Sequence, residues 1–600
     1  MTEVLQVRYT VFQGPSLAAP FAAVAAEFQE PADAGMPAAP LAAKLATFIP
    51  PALMRRVVLP PGQVSFAQLA AALAIALQDL HGRLGLELQI QRLSGGACRI
   101  LLGYHDAQAS MMALETGLEL ATAFFNEAGG RRVDLQPIEA RMQMLASILL
   151  LRLPDQTTRS LMRVARARGI PVYPVSPGSR IWLYGQGRAG LHGFVAASHR
   201  DSLSGSNLAR NKLLASQLIA QLGFPGAGAA PVSNLADARM YVQKTGFPVV
   251  IKPNVGRQGK GVTAQIGSDQ ELAAAFETAN RVASGSVLIE RHVSGDDHRL
   301  TVIGGSLIWA SCLAPPRVAG DGRRSIAELI DAENERRRKS ARGGAAVELA
   351  LDADMQGLLA KQGFSAEDRP AAGTEVALRS TANIARGGTL RDCTAEIHPD
   401  NREMAESLAR CFHLDAAGID FMTPDISRSW REVDCAVIEI NATPGFSSDE
   451  RAVQIVQARF PPGCDGRIPT VVLIGADEQL FRQAGDALQV NGTCLGMTDG
   501  RRTLLGGRER FVSSAPLPER VRGLLLDASC DALLIGVTPA EIEAQGFPLD
   551  RCSLALVSAG VELSAPLRQL VENCAERMAE VVSAPDCAQK VQEVLSSINR

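Results

Sequence analysis

Two acidic residues and an asparagine in the second half of the 600-residue chain have the types and spacing of a magnesium site. Glu439 and Asn441 lie two positions apart in the segment VIEIN, which predicts a strand, so both side chains point to the same face. Asp420, in the segment GIDF, can reach that face from a neighbouring strand. Mg²⁺ prefers such oxygen ligands and needs few of them, because bound phosphates and water supply the rest. The structural alternative is an Asn-Ala-Thr-Pro-Gly turn that ends an ordinary strand.

A lysine and a glycine-rich turn lie upstream and could hold those phosphates. Lys252 ends the apolar segment VVIK, and the segment VGRQGKG follows shortly after it, with Gly259, Lys260 and Gly261 at its end. Glycines allow backbone N–H groups to approach phosphate oxygens, and a lysine ammonium offsets their charge. A strand–turn–strand hairpin that binds no ligand would also explain this segment.

Two more polar residues lie at strand ends between these motifs. Glu290 ends the segment SVLIE, where its carboxylate could accept hydrogen bonds from a nucleotide ribose or adenine. Arg299 begins the next predicted strand and is a candidate to stabilise an oxyanion or a transferred phosphoryl group. The combined pattern predicts a site that holds Mg²⁺ together with a bound triphosphate.

The order of these motifs resembles the ATP-grasp superfamily, which includes D-alanine–D-alanine ligase and glutathione synthetase. The resemblance implies a ligase that activates a carboxylate as an acyl phosphate and forms a peptide-type bond, with ATP and Mg²⁺ as the cofactors. It assigns the ATP phosphates to Lys212, Lys252 and the glycine loop, and the nucleoside to Glu290. The catalytic residues would be Arg299 and Lys252, and the Mg²⁺ ligands would be Asp420, Glu439 and Asn441.

Further motifs resemble the cyanophycin synthetase family over roughly residues 160–460. They include DSLSGSNLARNK at 201–212, RSTANIARGGT at 379–389 and GIDFMTPD at 418–425. Members of that family build a polyaspartate backbone whose side chains carry arginine, and their ATP-grasp domain extends the backbone. The implied partners are a cyanophycin-like polymer or primer and a dipeptide substrate. The candidate substrate contacts are Ser204, Ser206, Arg379, Asn383, Gly387 and Gly388, although serines in a polar loop are more often turn residues.

The C-terminal region departs from that family. A Mur-ligase-like domain should open there with a strand and a Gly-Thr-Asn-Gly-Lys-Thr phosphate loop, but the strand at 468–474 is followed by GADEQ. The carboxylates of Asp477 and Glu478 would repel a triphosphate. Residues 466–600 are also too few for a full Mur ligase. We therefore expect the shorter second type of the family, which polymerises preformed β-aspartyl-arginine dipeptides at a single ATP site.

Two departures within the ATP-grasp region concern the incoming amine. The family's loop commonly reads Asp-Gly-x-His-x-Arg-Gly, and Gln258, which replaces the histidine here, cannot act as a general base. The family's Ser-Thr-Gly-Gly is Ala385-Arg386-Gly387-Gly388 in this chain. Two alternatives therefore stay open. One is a ligase for a different amino acid or dipeptide, and the other is a catalytically degenerate partner that binds polymer or regulates a full-length synthetase.

Composition and hydropathy limit the remaining possibilities. A net charge of −3 provides no basic excess for nucleic-acid binding. No apolar run reaches the ~18 residues of a membrane span, and the N-terminal segment MTEVLQVRYT lacks the design of a signal peptide. The eleven cysteines form no C-x-x-C pair, which predicts free thiols in a reducing cytosol. We expect a cytoplasmic homo-oligomer.

Hydrophobic periodicity predicts a mixed α/β (α+β) protein with three domains. By the resemblance, residues 1–158 would form an N-terminal α/β domain of the cyanophycin-synthetase type, 159–465 the ATP-grasp catalytic domain, and 466–600 a shortened, non-catalytic Mur-ligase-like domain. Alternation of apolar and polar residues predicts strands within 86–101. The predicted helices include 66–80, 110–126 and 567–582.

Overall fold

The chain divides into two compact units, which are described separately. The first unit comprises Met1–Gly193 and Pro462–Arg600, and the second comprises Phe194–Pro461. The mixed α/β class is confirmed, whereas the predicted boundaries at 158 and 465 stay predictions. The computed structural model describes residues 5–31, 35–79, 85–131, 133–176, 178–254, 261–282, 286–340, 348–379, 388–446, 448–489, 493–510 and 515–598.

The N-terminal part of the first unit combines an antiparallel sheet with helices. Its elements are β1 (Val7–Phe12), β2 (Ala23–Gln29), β3 (Gly35–Pro37), α1 (Ala38–Phe48), α2 (Pro51–Met54), β4 (Gln63–Ser65), α3 (Phe66–Gln78), β5 (Leu88–Arg92), a 3-10 helix (Ser94–Gly96), β6 (Ala97–Gly103), α4 (Ala107–Ala128), α5 (Gln136–Arg152), α6 (Gln156–Ala167), β7 (Val172–Pro174), β8 (Trp182–Tyr184), a 3-10 helix (Gly187–Ala189) and β9 (Leu191–Phe194). The main sheet has the order β1-β2-β6-β5.

Helix α3 lies in the core of this part of the chain because its residues are almost entirely apolar. A capping box starts it: Ser65 Oγ accepts a hydrogen bond from the Gln68 N–H at 3.3 Å, and Gln68 Oε1 accepts one from the Ser65 N–H at 2.8 Å. Helix α4 approaches α3 at Gly117, where a Cβ would come within 2.6 Å of the Ala70 carbonyl oxygen. The predicted helix at 66–80 is confirmed over Phe66–Gln78, and the helix at 110–126 and the strands within 86–101 are confirmed as well.

The second unit is built on two sheets. Its elements are β10 (Ala197–Ser198), α7 (Leu203–Arg210), α8 (Lys212–Gln221), β11 (Ala230–Val232), α9 (Leu235–Thr245), β12 (Val249–Pro253), β13 (Thr263–Ile266), α10 (Asp269–Val282), β14 (Val287–Arg291), β15 (Asp296–Ile303), β16 (Ser306–Ala314), β17 (Arg317–Ala319), α11 (Ile326–Ser340), α12 (Ala353–Lys361), β18 (Glu375–Ala377), β19 (Thr389–Asp392), α13 (Pro399–Cys411), β20 (Ala416–Thr423), β21 (Ala436–Asn441) and α14 (Asp449–Arg459). The smaller sheet has the order β11-β14-β12-β13 and the larger sheet β19-β16-β15-β20-β21; β17 pairs with β18.

The two faces of the larger sheet differ sharply in polarity. Alternate residues of its strands, such as Leu300 in β15 and Ile419 in β20, join the apolar side chains of α13 in one buried cluster. Because successive side chains on a strand point to opposite faces, the residues next to them, including Arg299 and Asp420, lie on the other face. The packing of α13 therefore leaves the opposite face of the sheet for polar chemistry.

The C-terminal part of the first unit is a largely parallel sheet. Its elements are β22 (Thr470–Ile474), α15 (Glu478–Leu488), β23 (Leu495–Thr498), β24 (Thr503–Leu505), β25 (Arg508–Glu509), α16 (Leu517–Leu525), β26 (Ala532–Val537), α17 (Pro539–Gln545), β27 (Leu554–Ser558), α18 (Ala565–Cys574), β28 (Met578–Val581) and α19 (Ala584–Ile598). The strand order is β25-β24-β23-β26-β22-β27-β28. The predicted helix at 567–582 is wrong in its second half, because Met578–Val581 pairs in parallel with β27 and so becomes a strand.

Two general features of the described residues concern the earlier expectations. All eleven cysteines are free thiols, as predicted. No helix within the described ranges combines the length and the apolar character that crossing a membrane would require.

Candidate active site

A row of polar residues crosses all five strands of the larger sheet. Asp392 pairs with Ser311, Ser311 with Arg299, Arg299 with Asp420, and Asp420 with Glu439 in the strand register. Residues directly opposite each other on neighbouring strands project from the same face. The pairing therefore brings a cation, a hydroxyl group and three carboxylates into one line on the face opposite α13.

Arg299 and Asp420 lie at the centre of this row. The Arg299 Nε forms an ion contact with Asp420 Oδ1, and the Arg299 Nη2 donates to Asp420 Oδ2 at 3.1 Å. Burial raises the pKa of Asp420 to about 7, with Asp297 and Glu439 adding to the rise and Arg299 opposing it. A carboxylate placed among other carboxylates in this way favours the binding of additional positive charge.

The predicted magnesium ligands come together at the edge of this row. Asn441 Nδ2 donates to Asp420 Oδ2 at 3.3 Å, and the Lys212 Nζ lies 3.5 Å from Glu439 Oε2. Within the described part of the chain, no group of three or more His, Cys, Asp and Glu side chains could hold a metal ion. The set of two carboxylates and one amide fits Mg²⁺ only with phosphate or water oxygens completing an octahedral shell. This is the kind of incomplete site that a nucleotide-bound ion needs.

Lys252 and Glu290 form a buried ion pair on the smaller sheet. The Lys252 Nζ lies 2.7 Å from Glu290 Oε2 and 2.8 Å from Oε1, and both side chains are about 95% buried, at 6% and 5% exposure. The pair arises because β12 and β14 are antiparallel neighbours, with Val250 opposite Glu290 and Lys252 opposite Leu288. The two residues predicted to contact different parts of ATP therefore contact each other in this structure.

The start of α8 connects the two sheets of this unit. Asn211 caps the helix by accepting a hydrogen bond from the Leu214 N–H at 3.1 Å. The N–H of Leu213, one residue earlier, donates at 3.1 Å to Oδ1 of Asn254, which directly follows the strand that carries Lys252. Lys212 is the first residue of α8, and its Nζ lies 3.5 Å from Glu439 Oε2 on the larger sheet. This arrangement places Lys212 between the sheets.

A buried network holds the segment before α7 against the start of β20. The Arg459 Nη2 donates to Asp415 Oδ2 at 2.8 Å and to the Ala196 carbonyl at 2.6 Å. The Ser198 hydroxyl donates to the same Asp415 oxygen at 2.9 Å. The carboxylate of Asp201 accepts hydrogen bonds from the backbone N–H groups of Ser198 and Ala416. The motif at 201–212 is therefore anchored to the strand that carries Asp420.

The predicted substrate contacts are more scattered. Ser204 and Ser206 lie in the first turn of α7, and the Ser204 hydroxyl lies 2.7 Å from that of the N-cap residue, Ser202. The Arg379 guanidinium donates to both carboxylate oxygens of Asp352, at 2.5 and 2.8 Å, and is therefore paired within the protein. Gly388 directly precedes β19, and Gly261 lies in the turn before β13. Four predicted site residues lie outside the described ranges: Gly259, Lys260, Asn383 and Gly387. The departures from the family at Gln258, Ala385 and Arg386 lie outside them as well.

Sequence reasoning missed Arg451 and Trp309. The Arg451 guanidinium carbon lies 4.5 Å from the centre of the Trp309 ring, and its Nη2 donates to Ser311 Oγ at 3.1 Å. Asp392 Oδ2 is 3.6 Å from the same nitrogen. An arginine ten positions after the Glu-x-Asn motif carries no spacing signal, because only the packing of α14 over the sheet brings it to the row.

The loop between β22 and α15, where a Mur ligase would bind nucleotide phosphates, is filled by the protein's own side chains. Gly475 follows β22 with a φ of +70°, and a Cβ there would come within 2.6 Å of Val561 Cγ2. The Asp477 carboxylate caps α15 by accepting a hydrogen bond from the Leu480 N–H at 2.8 Å. A helix N-terminus of this kind can bind phosphate. Here a carboxylate already occupies it.

Comparison with known proteins identifies the relatives of the chain. Residues 211–299 match the family model "Carbamoyl-phosphate synthase L chain, ATP binding domain". The cyanophycin synthetase of Geminocystis herdmanii is 30% identical over 506 residues, covering 81% of this chain and 57% of that protein. The cyanophycin synthetase of Trichormus variabilis is 28% identical over 499 residues, covering 81% and 55%.

Among solved structures, a bifunctional glutathione synthetase from Pasteurella multocida aligns with a TM-score of 0.41 and 21% identity, over 59% of this chain and 51% of that one. The sequence relatives confirm the predicted resemblance to the cyanophycin synthetase family. The chain spans a little over half the length of those relatives, at 55% and 57%.

Proposed function

From the homology of this chain to the cyanophycin synthetases, we propose that it is an ADP-forming ligase that extends a cyanophycin-type polymer. The C-terminal carboxylate of the polymer would be activated as an acyl phosphate and joined to the amine of β-aspartyl-arginine. The single observation that carries this proposal is the row on the larger sheet, where Arg299, Asp420 and Glu439 are direct neighbours and Lys212 reaches the last of them. Such a row offers carboxylates for a triphosphate-bound Mg²⁺ ion and a guanidinium for the carboxylate that is activated.

The first step is phosphoryl transfer. A carboxylate oxygen of the polymer attacks the γ-phosphorus of ATP, the bond from that phosphorus to the bridging oxygen breaks, and ADP leaves. Lys212 and Lys252 would offset the charge of the phosphates. Asp420, Glu439 and Asn441 would hold Mg²⁺, which when bound withdraws charge from the phosphate oxygens. Glu290 orients Lys252 through the buried ion pair.

The second step is amide formation. The amine of the dipeptide attacks the acyl carbon, the carbon–oxygen bond to phosphate breaks, and the amine loses a proton to solvent. Arg299 lies beside the carboxylates of the row, so its guanidinium can stabilise negative charge on the transferred phosphoryl group and on the tetrahedral intermediate.

The preference for a preformed dipeptide is supported by the C-terminal sheet. A chain that attached arginine itself would need a second nucleotide site, and the Asp477 carboxylate fills the helix N-terminus where the phosphates of that nucleotide would bind. A chain that binds no nucleotide at this helix N-terminus would take a substrate whose arginine is already attached, which is the dipeptide proposed here.

ADP release by the full-length chain tests the proposal. With ATP, Mg²⁺ and a cyanophycin primer, β-aspartyl-arginine should give ADP in proportion to polymer growth, and free aspartate plus arginine should not. Glu439→Gln should lower turnover by roughly 100-fold, since the proposed Mg²⁺ site loses one of its two charged ligands. Glu432→Gln, at an exposed glutamate of the same unit, is the matched control and should leave turnover unchanged.

The remaining outcomes separate the alternatives. ADP release with aspartate and arginine would refute the dipeptide assignment. Release only with another amine from a panel would favour a ligase of different specificity. ATP binding with no turnover on any amine, unchanged by Glu439→Gln, would favour a polymer-binding or regulatory partner.

A further inference from the structure

Arg451 lies over the reacting face of the larger sheet, one strand away from Arg299. It is in the first turn of α14, where Ser448 caps the helix by accepting a hydrogen bond from the Arg451 N–H at 3.3 Å. Its side chain reaches the row through Ser311, which is the direct register partner of Arg299. Neighbouring strands lie about 4.8 Å apart. A single amino-acid residue of a substrate could therefore contact both Arg299 and Arg451.

The Arg451 guanidinium is held in place but retains donors. Its contacts with Ser311 and Asp392 both use Nη2, and among the described residues no partner is found for Nη1 or Nε. The indole of Trp309 supports the plane of the group, with a separation of 4.5 Å. An arginine stacked on an aromatic ring presents a pre-oriented pair of N–H groups, which matches the two oxygens of a carboxylate.

The surroundings favour an anionic ligand. Burial lowers the pKa of Arg451, and its side chain is only 18% exposed, so the cation has lost much of its hydration. Asp392 and Glu450 compensate this charge in part. Asp392 Oδ2 is 3.6 Å away, and the other oxygen of that carboxylate accepts hydrogen bonds from the Thr394 hydroxyl at 2.6 Å and the Thr394 N–H at 2.9 Å. A second carboxylate in direct contact would supply the missing charge-assisted hydrogen bonds.

We infer that Arg451 binds the α-carboxylate of the incoming amine substrate, so that the acceptor must be an α-amino acid unit with a free α-carboxylate. This inference rests on the proposed function and deepens it. In such a unit the amine nitrogen and the carboxylate carbon are two bonds apart. With the amine directed at the acyl carbon near Arg299, the carboxylate falls beside Ser311 and Arg451. The same carboxylate becomes the one that is activated in the next cycle.

The test crosses two substrates with three enzymes. The substrates are β-aspartyl-arginine and the same dipeptide with its aspartyl α-carboxylate converted to a carboxamide. The enzymes are the full-length chain, Arg451→Gln, and Arg431→Gln as the matched control. Arg431 also stacks on a tryptophan of this unit, 4.1 Å from the ring centre of Trp430, but it lies outside the row. The readout is kcat/KM for ADP release with a cyanophycin primer.

The unmodified chain should prefer the carboxylate over the carboxamide by roughly 10- to 100-fold, the range expected for charge-assisted hydrogen bonds. Arg451→Gln should reduce this preference to less than about threefold, mainly through KM, whereas Arg431→Gln should retain it. A preference that survives in Arg451→Gln would overturn the inference. If that variant does not fold, Arg451→Lys decides, since it keeps the charge without the paired donors and should lose most of the preference; full retention would refute the assignment.

Failure of the proposed function gives a different result. In that case the unmodified chain releases no ADP with any acceptor. Calorimetric titration of the two dipeptides into the chain and into Arg451→Gln then still tests the inference, because the carboxylate should bind more tightly only when Arg451 is present. Equal binding of both dipeptides to the unmodified chain would refute the carboxylate site.

Discussion

Asp415→Asn removes the charged partner of a buried arginine and offers a quantitative test of how the second unit is held together. The Asp415 and Arg459 side chains are only 7% and 5% exposed, and the substitution leaves the buried guanidinium without its direct ionic partner, with Asp201 as the remaining nearby carboxylate. Breaking one side of a buried pair costs about 3–5 kcal/mol. For a unit of this size each kcal/mol lowers the melting temperature by about 2–4 °C, so a fall of roughly 6–20 °C is expected.

The matched control is the same chemical change at an exposed pair of the same unit. Arg239 contacts Asp269 through two bonds of 2.7 Å, and both side chains are half exposed or more. Solvent screens this pair, so Asp269→Asn should leave the melting temperature almost unchanged. Scanning calorimetry of the full-length chain separates the two cases. Equal shifts in both variants would refute the argument from burial.

A double substitution completes the test. Arg459→Met combined with Asp415→Leu replaces the ion pair by apolar side chains and should recover most of the lost stability, because neither partner of the pair is left buried alone. The Ser198 hydroxyl would lose its acceptor, which limits the recovery. If the double variant is less stable than either single variant, the ion pair itself, rather than the cost of an unpaired charge, provides the stability.

Three further predictions concern other sites. Glu290→Gln removes the charged partner of the buried lysine that it contacts, so the melting temperature without ATP should fall, and saturating ATP should recover part of the loss in a thermal-shift assay. Gly117→Ala should destabilise the first unit by about 1–3 kcal/mol in a denaturant titration, because the new Cβ would lie 2.6 Å from the Ala70 carbonyl oxygen. Gly357→Ala is the control: this helix position has open space around it, so the substitution should stabilise the second unit by about 0.5–1 kcal/mol. Burial raises the pKa of Cys530 to about 12, so at pH 8 a thiol reagent should modify the exposed Cys411 and Cys464 within minutes and Cys530 only after denaturation.

Local patterns in the sequence determined most of the secondary structure and the strand ends at which several candidate site residues lie. The apolar segments that end at Lys252 and Glu290 are strands, as predicted, because a short run of β-branched and apolar residues favours a buried strand in almost any context. The spacing of Glu439 and Asn441 likewise placed them on one face, since side chains alternate along a strand. The failure at 567–582 shows the limit, because its second half is held as a strand only by pairing with β27.

Tertiary structure alone decided which of these residues meet. Strand register joins residues far apart in sequence, and it is this register that lines up Asp392, Ser311, Arg299, Asp420 and Glu439. The same holds for the Lys252–Glu290 pair and for Arg451, which reaches the row only through the packing of α14. The sequence by itself determined the chemistry that these side chains can supply. Their grouping depends on contacts between distant strands and helices, and such contacts leave no signature in local spacing.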